Sequence, residues 1–233
     1  MGYNRTYKNI IFMYRLTDNM RNQFYCEREQ LRGKIEMINR YLIHNHDFLL
    51  QSEIGYHKRL DSCKNQYELF LVEDNSISNF ADFEQIYLNG CLMYLISQYE
   101  FYIKKVYEAV CVKTKNEIES KNKNIVKSYI KEIKNLSNIK FYKSTLKTFD
   151  TITCIIEIRN KLVHVSGQSY FYEEVTKQHI KRHQYKIKSI PQIDGRLDIY
   201  LTPKYIIYVC NIIQHAFFSI TKSVHKKLKP CKL

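Results

Sequence analysis

Glycine and proline are scarce in this chain: six Gly and three Pro in 233 residues. So little turn chemistry argues against a turn-rich architecture and for long helices. Tryptophan is absent, although Tyr is abundant at 20. The seven Cys include no C-x-x-C pair. Cys26, Cys63, Cys91, Cys111, Cys154, Cys210 and Cys231 are scattered, mostly in apolar stretches where a reduced Cys behaves as a small hydrophobe. That pattern argues against a disulfide framework and for a reducing compartment. No signal peptide is recognisable and no apolar run is long enough to span a bilayer, so the expectation is a cytoplasmic protein without a membrane. Acidic residues are also short, 23 Asp and Glu against 37 Lys and Arg, a net charge of +14. Such a balance favours a polyanionic partner, most simply nucleic acid.

The apolar residues, 45% of the chain, are enough for a core. Phe24, Leu31, Ile35, Ile38 and Leu42 recur at helical spacing, and a second helical piece is expected over 48–72. These two read as an antiparallel helical extension, residues 1–79, on a domain spanning 80–233. From Phe80 to Lys113 the pattern is apolar nearly all round, which predicts a central buried helix. Residues 113–147 carry ten Lys against three Glu and predict one amphipathic helix over Lys123–Leu136. A further helix is expected over Phe141–His164 and a short one over Glu173–His183. Strands over Tyr185–Ile190 and Arg196–Leu201 flank an Asp194-Gly195 turn signal. Thr202-Pro203 then supplies an N-cap and a first-position proline for a last helix. The fold class expected is all-α: an up-and-down helical bundle with a small β-hairpin before the closing helix. His179 and His183 have metal-ligand spacing, but no Cys or carboxylate joins them, so neither a metal nor a cofactor is expected.

The densest chemistry lies at Glu157-Ile158-Arg159-Asn160-Lys161-Leu162-Val163-His164. On a helix, residues four apart share a face, so Asn160 and His164 stack, with Glu157 one turn before Asn160. Ile155, Ile158 and Leu162 form the apolar stripe that anchors this helix. Arg159 stands roughly 140° around the axis from His164.

This segment resembles the R-N-x-x-x-H signature of the HEPN superfamily of helical domains, in which four to six residues separate an Arg from a His. Arg40 and His46 also have a permitted spacing, but Tyr41, not Asn, follows Arg40. The resemblance covers roughly residues 80–225 and implies metal-independent RNA cleavage. His164 would act as general base on a ribose 2′-hydroxyl. Arg159 would hold the phosphate oxygens, and Asn160 would orient substrate or imidazole. Glu100 matches an acidic position on the preceding long helix, and Glu157 completes the polar stripe. The implied partners are tRNA or mRNA and a second copy forming a homodimer with a composite active site. A toxin or host-defence role with an antitoxin or defence-system partner is also implied. Some members carry a Tyr two residues after the His, and Ser166 stands there instead. A non-catalytic HEPN-like module that binds RNA or a protein is the alternative.

Overall fold

The structure is a computed structural model. It describes residues 22–44, 77–118, 125–164 and 170–228, with isolated positions between 47 and 62. The fold is an all-α bundle with a two-stranded hairpin before its last helix. Helix α1 spans 22–44, α2 Ile77–Thr114, α3 Ile125–Ser137, α4 Lys143–His164 and α5 Glu174–Arg182. Strands β1 (Ile187–Pro191) and β2 (Leu197–Leu201) precede α6, Pro203–Lys227. The helix expected over 48–72 falls outside the described residues apart from isolated positions, as does His46.

The chain forms two compact units. The first comprises Met1–Gly33, Ile96–Thr153 and Cys210–Leu233, and the second Lys34–Leu95 and Cys154–Val209. Neither coincides with the segments 1–79 and 80–233 read from the sequence.

In the first unit, Phe24 and Leu31 of α1 are buried, as are Tyr99, Ile103, Val106 and Val110 of α2. Ile133 of α3 and Ile213, Phe217, Ile220 and Val224 of α6 complete this core. Each such side chain contributes about 1.5–3 kcal/mol relative to exposure. Aromatic contacts register the packing: Tyr102 meets Phe217 edge-on at 5.9 Å, and Tyr107 lies tilted against Tyr129 at 4.9 Å between ring centroids. Helices α2 and α3 end in the same way. Lys115 and Asn138 take left-handed φ values of 57° and 49°. Asn116 N–H then reaches back to Cys111 O at 3.0 Å, and Ile139 N–H to Lys134 O at 3.1 Å. These bonds satisfy carbonyls that a helix end leaves bare.

In the second unit, Ile35, Ile38 and Leu42 of α1 are buried, with Leu88, Leu92 and Leu95 of α2. Ile155 and Ile158 of α4, Ile180 of α5 and Tyr205 and Ile206 of α6 are buried too. The hairpin pairs Ile187 with Leu201 through Pro191 with Leu197, antiparallel. Gly195 closes its turn at φ 81°, a value that favours glycine. The first strand begins two residues later than expected. Tyr185 and Lys186 belong to a turn in which Lys186 N–H and Ile187 N–H both reach His183 O, at 2.7 and 2.9 Å. The outer edge of β2 is also satisfied. Gln85 of α2 gives its amide N–H to Leu201 O at 2.9 Å and accepts Leu201 N–H at 2.8 Å. Thr202 Oγ1 accepts Tyr205 N–H at 3.4 Å and starts α6 at Pro203. The expected all-round burial of α2 is only partial: Ile86, Met93, Phe101 and Val112 are exposed.

Candidate functional site

Helix α4 runs without a break through the Arg159-Asn160-x-x-x-His164 segment. Its apolar anchor is as the spacing predicts, with Ile155 and Ile158 fully buried and Leu162 half-buried. Asn160 is exposed and Arg159 half-buried. His164 closes the helix; its side chain lies outside the described residues, as does Ser166.

Beside this segment the second unit holds an open cleft of about 720 Å³. Glu157, Asn160 and Lys161 of α4 line one side, and the chain from Tyr170 to Glu173 lines the other. Arg159 is not among the lining residues. The aromatic wall is pinned at both ends. Tyr170 bridges to Leu197 of β2, its N–H donating to Leu197 O at 3.1 Å and its O accepting Leu197 N–H at 2.9 Å. At the other end Glu173 N–H donates to Glu157 Oε1 at 2.9 Å. Thr176 Oγ–H donates to Glu157 Oε2 at 2.5 Å.

Glu157 therefore has a role the sequence did not suggest. Glu173, the N-cap of α5, makes no side-chain cap of its own. The Glu157 carboxylate supplies the acceptor instead, and a negative charge at a helix start is favourable. Within the wall, Phe171 is exposed while Tyr172 is buried. Tyr170 and Tyr172 meet edge-on at 6.3 Å. Burial pushes the Tyr172 phenol well above its ordinary range, so it stays neutral. Its hydroxyl is enclosed without a hydrogen-bond partner.

Glu100 is half-buried on α2 and belongs to the first unit, whereas Glu157, Arg159 and Asn160 belong to the second. On the Glu100 side of α2, Lys104 Nζ lies 3.9 Å from Glu108.

The two histidines of α5 form a second polar cluster. His179 Nε2 lies 3.1 Å from the Tyr205 hydroxyl. The His179 and His183 rings are 4.7 Å apart, and the His183 ring lies tilted against Tyr208 at 4.4 Å. Lys186 Nζ sits over the Tyr208 ring at 4.4 Å. Burial lowers the pKa of both histidines, that of His179 to about 4. Among the described residues no three His, Cys, Asp or Glu side chains converge as metal ligands.

No family model, curated protein or solved structure matches the chain. The residues that sequence reasoning passed over are Tyr170, Phe171, Tyr172 and Glu173. Their only local signal was three aromatic residues in a row just after the motif helix.

Proposed function

We propose that the chain is a metal-independent endoribonuclease of HEPN type. One juxtaposition supports this reading. Asn160, from the Arg159-Asn160-x-x-x-His164 segment, opens into a cleft walled by aromatic residues, on a chain of net charge +14. Positive charge supplies the sequence-independent attraction to a phosphate backbone. Aromatic walls suit unpaired bases.

In this mechanism neutral His164 takes the proton from a ribose 2′-hydroxyl, because an imidazole exchanges protons near neutral pH. The 2′-oxygen attacks the adjacent phosphorus, the bond to the 5′-oxygen breaks, and the departing oxygen takes up a proton from the imidazolium or from water. A 2′,3′-cyclic phosphate and a 5′-hydroxyl result. Arg159 stabilises the charge that builds on the non-bridging oxygens. Asn160, exposed at the cleft, orients the substrate. One Arg and one His make a sparse site, and a second copy would complete it across a two-fold axis.

The test is a time course on tRNA and total RNA in excess EDTA, with product ends analysed. Wild type cleaves, and His164→Ala loses about 10²–10⁴-fold. Arg159→Ala loses a comparable factor, while His46→Ala, at the competing spacing, is unchanged. Cleavage that is lost on chelation and restored by Mg²⁺ or Zn²⁺ overturns the mechanism. A wild type that binds RNA without cutting it leaves the binding-module alternative in place.

A further inference from the structure

The cleft beside Asn160 is poorly suited to a phosphate. Two of its lining residues, Glu157 and Glu173, are carboxylates, and among the described lining residues Lys161 is the one cation. Like charges would repel a phosphodiester, so the main occupant has to be neutral and flat. The wall fits that description. Phe171 presents a ring that is 60% exposed. The backbone on either side of it is fixed, by the Leu197 bridge at Tyr170 and by the Glu157 carboxylate at Glu173. A ring held by a rigid backbone loses little freedom on stacking, which favours binding.

The carboxylates divide by role. Both oxygens of Glu157 already accept hydrogen bonds from Glu173 N–H and Thr176 Oγ–H. The Glu173 side chain is exposed and takes no part in capping its own helix. A carboxylate offers two acceptors side by side. Among the four bases only guanine presents two adjacent donors, N1–H and N2–H, on its Watson–Crick edge. That edge is open only when the base is unpaired.

We infer that the cleft is a nucleobase subsite for single-stranded RNA, in which Phe171 stacks an unpaired guanine and Glu173 accepts its N1–H and N2–H. Lys161, at the same cleft, meets the flanking phosphate. The inference takes the RNA substrate from the cleavage reading above but needs no cleavage to be tested.

The experiment uses the full chain and fluorescein-labelled 2′-O-methyl oligonucleotides, which lack the attacking hydroxyl. The probes are a nonamer of uridine, the same nonamer with one central guanosine, and the duplex of the latter. Anisotropy titrations at fixed salt give Kd. The expected order is guanosine nonamer tightest, then uridine nonamer, then duplex. Phe171→Ala weakens the guanosine nonamer by about 10-fold, within the range measured for base–aromatic stacking. Phe171→Tyr restores it. Glu173→Gln narrows the gap between the guanosine and uridine probes, because an amide accepts only one of the two donors. Equal binding by wild type and Phe171→Ala, or duplex bound as tightly as single strand, overturns the proposal. So does a guanosine preference that Glu173→Gln leaves intact. If Phe171-dependent binding persists while unmodified RNA is never cut, the cleavage reading falls and the subsite stands. If RNA is cut but Phe171→Ala changes neither Kd nor the cleavage positions, the subsite falls and the cleavage reading stands.

Discussion

Acidification should destabilise the second unit through His179. The side chain is 6% exposed, with Nε2 3.1 Å from the hydroxyl of the fully enclosed Tyr205. Burial, and then the neighbouring His183 and Arg182, depress its pKa from an ordinary 6.5 to about 4. Protonation would place a charge in a poorly solvated site next to other cations, with Lys186 close to the His183 ring. The unfolded chain therefore binds this proton near pH 6.5, and the folded chain only near pH 4. The contribution to stability is complete above pH 6.5 and is lost as the pH falls toward 4. A gap of about 2.5 units at about 1.4 kcal/mol per unit amounts to about 3 kcal/mol. Against a typical net stability of about 5–15 kcal/mol, that is a large share. His183 is shifted in the same direction and adds to the effect. The measurement is urea unfolding of wild type and His179→Gln at pH 7.5 and pH 4.5. Carboxylate protonation weakens both proteins alike, so the difference between them isolates the imidazole. Wild type should lose about 2–3 kcal/mol more than His179→Gln over this range. If the two lose stability in parallel, His179 is not held neutral by burial and the reasoning fails.

Glu157→Ala removes the acceptor at the start of α5 and should cost about 1–2 kcal/mol. Amide hydrogen exchange should speed up at Glu173 through Lys177, and unchanged protection there would show that the carboxylate does not hold the helix. Ile158→Ala opens a cavity in a fully buried position and should cost about 2–5 kcal/mol. Asn160→Ala, at an exposed position of the same helix, should stay within about 0.5 kcal/mol of wild type; a reversed order of these two would mean the anchoring face of α4 is misassigned. Because a single Arg and His make a sparse site, the chain should form a dimer at micromolar concentration, and a monomer by light scattering would count against the composite cleft.

The helices were legible because each has a local cause. Phe24, Leu31, Ile35, Ile38 and Leu42 recur at helical spacing, and all five are buried. The same spacing runs through Ile206, Cys210, Ile213, Phe217, Ile220 and Val224 of α6, and all six are buried. Thr202-Pro203 and Asp194-Gly195 mark a helix start and a turn by chemistry that needs no distant partner. The exceptions also have local causes. The turn after α5 takes two residues that alternate like a strand, because two successive N–H groups share one carbonyl, that of His183.

The site was legible only in part, and the missing part is the part made by distant contacts. Tyr170, Phe171 and Tyr172 have no period that marks them out. They become a wall because Tyr170 pairs with Leu197 and because Glu157, 16 residues earlier, accepts the N–H of Glu173. Helical spacing put Glu157 on one stripe with Asn160, and both do line the cleft. Spacing could not reveal that Glu157 spends both oxygens on the start of another helix while Asn160 stays exposed. One polar stripe thus contains a residue that holds the wall and a residue free to meet what lies against it. A variant that separates these duties is Glu157→Gln. Its one amide oxygen keeps a single acceptor, so it should loosen α5 by less than Glu157→Ala does and leave the Asn160 side of the cleft as it is.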